Sequence, residues 1–189
     1  MNGMTMRTSS ILPLRAGTYT VDRNQSAVYF RLRRLGLTQL RGEFTGFDAS
    51  LFVGDSLHDV AVRATIDLAS INTKHRDRDA LLHMTPRFKA ETHPAMTFNS
   101  TSIHRIGAVR YLMDGLLTVT GVTKPVRLQV GFHGIGVDPT SEHARVEFTA
   151  IGEIRRSDFG IELDAPLAAD TWVLGDAVRV AIDARFRTP

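Results

Sequence analysis

The sequence predicts a single all-β domain, a closed antiparallel β-barrel or a sandwich, interrupted by one short helical insertion. Three observations carry that expectation. Segment after segment alternates apolar and polar residues with a period of two, which gives each strand one apolar face. Turn-forming residues separate these segments at short, regular spacing, the pattern of a barrel or a sandwich. Residues 70–94 break the alternation and are compatible with helix.

In chain order, Tyr19 and Val21 alternate with Thr18 and Thr20, and Asp22 to Gln25 read as a turn. Val28, Phe30 and Leu32 then alternate with Tyr29, Arg31 and Arg33 until Gly36 breaks the strand. From Leu40 to Val53 the pattern carries a defect. Phe44 has one parity, while Phe47, Ala49, Leu51 and Val53 have the other. A bulge at Gly46 adds one residue and restores a common face. After the turn Gly54-Asp55-Ser56, the residues Val60, Val62, Ala64, Ile66 and Leu68 give the cleanest alternation in the chain.

The insertion follows. Asp77 to Met84 is charged first and apolar afterwards, as in a short helix. Thr85-Pro86 has the form of a helix N-cap followed by proline at the first helical position, with a further turn or two to Glu91. One helical excursion in an all-β chain reads as a lid or plug over a barrel end.

Strands resume with Met96, Phe98 and Ser100, then Val109, Tyr111 and Met113. Between Gly115 and Val130, two aliphatic runs flank Gly121-Val122-Thr123-Lys124-Pro125. Proline has no amide hydrogen for the ladder, so Pro125 is expected at the first position of the second strand, with a short turn before it. Val126, Leu128, Val130 and Phe132 share one face of that strand. Val146, Phe148 and Ala150 follow, then an irregular stretch over 161–176. The last strand carries Val178, Val180, Ile182, Ala184 and Phe186 on one side. With 189 residues, no linker and no repeat of 20–50 residues, residues 16–189 form one domain behind a flexible arm of residues 1–15.

Composition narrows the function. The net charge of +3 comes from basic residues scattered along strands, without the aromatic interleaving of a stacking platform, so no nucleic-acid partner is expected. The absence of cysteine excludes disulfides, thiolate catalysis and cysteine-ligated metals. The seven histidines form no metal-binding unit, and no metal is expected. No nucleophile elbow, dinucleotide fingerprint or P-loop occurs, so no catalytic residue and no cofactor is assigned. No transmembrane helix is present, and the N-terminus lacks the apolar segment of a secretory signal. The expected location is cytoplasmic, unless a signal was removed. A homodimer is compatible with the sequence, which contains no interface signal.

Seven short stretches together resemble the YceI-like family. They are G-T-Y-T-V-D (Gly17 to Asp22), S-A-V-Y-F (Ser26 to Phe30), G-E-F-T-G-F (Gly42 to Phe47), A-S-I-N-T (Ala69 to Thr73), F-K-A-E-T-H-P-A-M-T-F (Phe88 to Phe98), G-L-L-T-V-T-G-V-T-K-P-V (Gly115 to Val126) and I-R-R-S-D-F-G-I (Ile154 to Ile161). Each is weak alone; seven in order are specific, and they span most of the chain. The resemblance implies an eight-stranded lipocalin-like barrel that holds a long isoprenoid lipid, such as a polyprenyl diphosphate or a prenyl quinone. One departure is Gln25, which stands where the family usually has histidine.

The residue pattern agrees in chemistry, because the apolar strand faces nearly all lack ionisable groups. If the barrel is hollow, its wall is Val28, Phe30, Leu32, Phe44, Val62, Phe98, Met113, Leu117, Phe132, Phe148 and Phe186. From the residues alone, these side chains equally read as a filled core; the resemblance favours a cavity. Gln25, Arg155, Arg156 and Asp158 are the candidates for a polar rim meeting a head group, although an arginine paired with Asp158 would simply pin the turn. Two other functions remain open. One is an isomerase or hydrolase of a hydrophobic substrate, with few polar candidates, Ser100 and Asn99 among them. The other is a filled barrel acting as an interaction module through its arginine-bearing outer faces.

Overall fold

Three of the strands bend, and the bends let one sheet close on itself. The computed structural model describes residues 14–34, 39–84, 92–137, 144–161 and 174–189. The first bent strand is β1 (Gly17–Val21) with β2 (Ala27–Arg34), the second β3 (Gln39–Phe44) with β4 (Phe47–Val53), and the third β5 (Ala61–Asp67) with β6 (Ile71–Asn72). Helix α1 (Arg76–Met84) follows. Then come β7 (Ala95–Arg105), β8 (Arg110–Val119), β9 (Val122–Val137), β10 (Ala144–Arg155) and β11 (Leu174–Arg187). Every pairing is antiparallel, and counting each bent pair once gives a closed barrel of eight strands. Closure comes from β1, which pairs with β4 on one edge and with β11 on the other, Val21 facing Phe186.

The second bend lies at Thr45-Gly46, where the change of parity demands it. Leu40 and Phe44 before it, and Ala49 and Leu51 after it, all face inward. The third bend, a 3-10 turn over Leu68–Ser70, packs beside the second. The Asp67 amide donates to the Gly46 carbonyl at 2.8 Å, and the Thr45 amide donates to the Ser70 carbonyl at 3.1 Å. Thus neither bend leaves these backbone groups unpaired.

At the first bend, Asp22 caps the 3-10 turn Arg23–Gln25, accepting from the Asn24 amide at 3.2 Å. Its carboxylate is 3% exposed and lies 3.3 Å from both Arg145 Nη2 and Arg187 Nη2. Those arginines are direct cross-strand neighbours on β10 and β11. Like charges placed so repel, and Asp22 sits between them as the neutralising charge. Around this end Tyr19, Leu51, Val53, Tyr111, Phe132 and Val146 form a solid core. Leu14 packs on that core, and the Tyr19 hydroxyl donates to the Arg15 carbonyl at 2.8 Å. The end of the predicted arm is therefore tied down; residues 1–13 lie outside the described residues.

The central hairpin is tighter than its sequence suggests. Only Thr120 and Gly121 form the turn, both with positive φ (51° and 82°), as a two-residue hairpin matched to strand twist requires. A β-branched residue rarely adopts that conformation. Here the buried Thr120 hydroxyl donates to the Phe159 carbonyl at 2.9 Å and holds the turn in place. Pro125 is consequently inside β9, opposite Leu116, and not at its start. The position tolerates proline because β10 pairs with β9 only from Leu128 onward.

At the opposite end from the solid core, β6 pairs with β3 but not with β7, so the wall parts there. Helix α1 stands beside the gap. Asp79 anchors it, accepting from the Thr73 amide at 3.0 Å and from the Thr73 hydroxyl at 2.5 Å. Leu82 packs with Phe30, Leu32, Leu40, Leu68 and Ile71. The second helical turn expected over Pro86 to Glu91 lies outside the described residues.

Removing the Asp22 charge leaves two opposed guanidiniums, one of them largely buried. Asp22→Ala is expected to destabilise the barrel by about 3–5 kcal/mol in urea denaturation. Asp48→Ala, which breaks the exposed 2.6 Å pair with Arg23, is expected to cost less than about 1 kcal/mol.

Candidate functional site

The inward parities of the strands do not fill the barrel. A cavity of about 290 Å³ runs from mid-barrel toward the end that carries α1. Ten of the eleven predicted wall residues line it: Val28, Phe30, Leu32, Phe44, Val62, Phe98, Met113, Leu117, Phe148 and Phe186. Phe132 does not. Its strand runs further toward the solid end, and its ring packs there 5.4 Å from Phe148. Ala64, Ala150 and Ala184, small residues on the same faces, leave part of the space.

Two glycines set the cross-section. The Phe30 ring lies over Gly42 on the adjacent strand, and the Phe98 ring lies over Gly115. A Cβ at either glycine would overlap the ring and push it into the cavity. Phe30 also packs against Phe44, ring centres 5.3 Å apart, and Phe148 meets Phe186 edge-on at 6.1 Å.

Among the described lining residues, the charged ones are Arg78 and Arg156. Arg156 follows the end of β10, where the chain turns into the 3-10 segment Arg156–Phe159 and folds back across the barrel end. Its Nη1 donates to the Ile161 carbonyl at 2.8 Å and its Nε to the Gly175 carbonyl at 3.3 Å. Arg78 comes from α1, one turn before Leu82, and donates from Nε to the Thr73 hydroxyl at 2.8 Å. Its place at the cavity was not read from the sequence. The signal was present in R-D-R-D-A-L-L, where Arg78 and Leu82 are four apart and share a helix face.

The other rim candidates lie elsewhere. Gln25 is exposed on the first bend, and its Oε1 accepts from Arg185 Nη1 at 3.0 Å; it does not line the cavity. Arg155 is the last residue of β10 and has outward parity. Asp158 is exposed, and among the described residues no arginine pairs with it. The turn is pinned instead by Asp176, which accepts from the Ser157 amide at 2.9 Å and from its hydroxyl at 2.8 Å. These hydrogen bonds to the charged form hold the Asp176 carboxyl below the usual carboxylate value.

The lining residues described include no carboxylate, histidine, serine or threonine. Ser100 accepts from the Val62 amide at 2.8 Å, beside a register shift in β7, and Asn99 faces outward. No cluster of three potential metal ligands occurs among the described residues. None of their helices is long and apolar enough to cross a membrane.

An antiparallel eight-stranded ring, solid at one end and hollow and apolar at the other, is a lipocalin-like barrel. The model of the YceI-like domain matches residues 19–186, and the chain belongs to that family. A UPF0312 protein of Photorhabdus laumondii is 36% identical over 152 residues, covering 79% of this chain and 78% of the relative. Protein YceI of Escherichia coli O157:H7 is 36% identical over 153 residues with the same coverage. Among solved structures, Burkholderia cenocepacia BcnA shares the fold with a TM-score of 0.73 at 24% identity, covering 87% of this chain and 98% of that one. A polyisoprenoid binding domain from Saccharophagus degradans shares it with a TM-score of 0.71 at 18% identity, covering 90% and 98%.

The depressed pKa of Asp176 has a signed consequence. Its stabilisation is fully present above the unfolded carboxylate value of about 3.9 and is lost as the pH falls through the lower folded value. The stability difference between the wild type and Asp176→Ala should be constant from neutral pH to about 5 and narrow below about 4. Urea midpoints measured across that range check it.

Proposed function

We propose that the barrel binds an isoprenoid lipid, a polyprenyl diphosphate or a prenyl quinone, for storage or transport. The observation that carries this reading is the cavity: its described wall is aliphatic and aromatic, with Tyr29 and Tyr111 among the aromatics and two arginines at one end. Burial contributes about 0.8 kcal/mol per methylene, so ten buried carbons contribute about 8 kcal/mol. That equals micromolar affinity before the costs of association, with no polar contact to the chain. The fold shared with the Saccharophagus degradans polyisoprenoid binding domain agrees with the reading.

Arg156 and Arg78 supply the place for the head group. A guanidinium donates to phosphate oxygens in pairs and to a quinone carbonyl singly, which favours the diphosphate. Helix α1, holding Arg78 and Leu82 beside the parted wall, is the element whose displacement would admit the ligand.

The cavity opposes the filled-barrel reading. Its 290 Å³ is about twice the ~150 Å³ that admits benzene, a six-carbon ring, whereas one prenyl unit has five carbons. The two residues named for the enzymatic reading do not line the cavity: Ser100 holds a backbone amide and Asn99 faces outward.

Native mass spectrometry of the gently purified protein, followed by organic extraction, should recover a prenyl lipid. A bare protein that also refuses added prenyl quinone and polyprenyl diphosphate would sink the proposal. Filling the space with Ala150→Trp is expected to abolish binding of a fluorescent prenyl probe. Loss of one charge-assisted contact in Arg156→Gln or Arg78→Gln should weaken a polyprenyl diphosphate roughly tenfold or more while leaving the uncharged polyprenol nearly unchanged.

A further inference from the structure

The barrel's outer wall carries like charges in direct opposition. On the outward faces of three adjacent strands, Arg41 of β3 stands opposite Arg31 of β2, and Arg31 stands opposite Arg179 of β11. Such pairs are destabilising unless neutralised. At the solid end the fold neutralises the opposed Arg145 and Arg187 with Asp22. Along the outer wall it does not. Arg179 pairs with Glu153 at 3.2 Å, Arg41 reaches only the neutral Gln39, and Arg31 has no ion-pair partner among the described residues. One carboxylate faces three guanidiniums.

Beside this row, Glu43 at one edge is paired with Lys74 at 3.5 Å and Gln129 stands at the other; between them the residues are apolar or amphipathic. Tyr29, Ala181 and Ile151 stand in register on the same face, with Tyr29 42% and Ile151 55% exposed. Together the two rows line a shallow groove of about 880 Å³. Toward the cavity end the positive charge continues through Arg33 and Arg155, both exposed. The band therefore ends beside the rim where Arg156 and Arg78 meet the cavity.

We propose that this face docks on an anionic lipid bilayer and sets the cavity end against the membrane for exchange of the ligand. The proposal rests on the lipid-binding reading of the cavity, because a long apolar chain enters water only at great cost and must pass between cavity and bilayer without doing so. Arginine guanidiniums flanking an exposed isoleucine and tyrosine suit the bilayer interface, where the cations meet phosphate head groups and the apolar tips sit just below. An anionic membrane also supplies the neutralising charge that the fold withholds from Arg31 and Arg41.

The test is co-sedimentation of the full chain with phosphatidylcholine vesicles and with vesicles containing 30% phosphatidylglycerol. The expected result is binding to the anionic vesicles, weakened by salt, and none to the neutral ones. Each arginine at such a surface contributes roughly fivefold. The triple variant Arg31→Gln, Arg33→Gln, Arg41→Gln should therefore bind about 100-fold more weakly. Its urea midpoint should be unchanged or higher, because opposed like charges have been removed. An equal-charge control on β5, β7 and β8, Arg63→Gln, Arg105→Gln, Arg110→Gln, should bind like the wild type. Absence of vesicle binding, or equal loss in both variants, overturns the proposal. So does failure to bind vesicles combined with salt-sensitive binding of polyglutamate through the same arginines, which would make the face a dock for an acidic polypeptide. Titration of the fluorescent prenyl probe separates the two readings. Probe binding without vesicle binding removes only the membrane dock; vesicle binding without probe binding removes the cavity reading and leaves a membrane-binding barrel.

Discussion

Ring closure is the constraint on which the rest of this structure depends. The first strand must meet both the second and the last, and it does so in two segments. The chain breaks at Asp22, so that β1 pairs with β4 and β11 while β2 continues along β11. The break leaves backbone groups to be paired, and it lies beside two arginines that the β10–β11 register sets face to face. Asp22 answers both problems by capping the turn and standing between Arg145 and Arg187. The neighbouring strands bend at Thr45-Gly46 and at Leu68–Ser70, and hydrogen bonds tie those two bends together.

The bends also divide the interior. Toward one end, large side chains from strands around the ring pack into a core. Toward the other, β6 parts from β7, and the ring there is completed by α1 and by the turn at Arg156. Phenylalanines folded over Gly42 and Gly115, set against alanines on facing strands, leave a space that side chains of this length do not fill. A hydrocarbon ligand would restore the dispersion contacts missing from those walls.

Electrostatics separates inside from outside with little mixing. The cavity is lined by charge only where the chain reverses at its end, at Arg78 and Arg156 among the described residues. The outer wall carries its arginines in rows, because alternate residues of neighbouring strands fall into register. The one inward charge at the solid end, Asp22, is matched twice over. The separation leaves an apolar compartment with two cations at its open end.

Alternation alone determined the all-β class, nearly all the strands and the inward face of each, because a period of two leaves one assignment once a face must be buried; closure into a barrel was decided by the long-range pairing of β1 with β11. It also located the bulge at Gly46, since Phe44 and Phe47 can share a face only with an extra residue between them. Position along the barrel axis was not encoded in that way. Phe132 has the parity of a wall residue, yet register carries it into the solid end. Gln25, Arg155 and Asp158 are close in sequence to the right elements, but turns and strand parity aim them outward, while Arg156 is folded inward. Pro125 was misplaced because the strand it interrupts has no partner on that edge, a fact of pairing and not of composition. Arginines that look scattered along the chain become a row only when β3, β2 and β11 align. Local chemistry specified what each strand could bury; long-range register decided which residues meet, and where the barrel stays hollow.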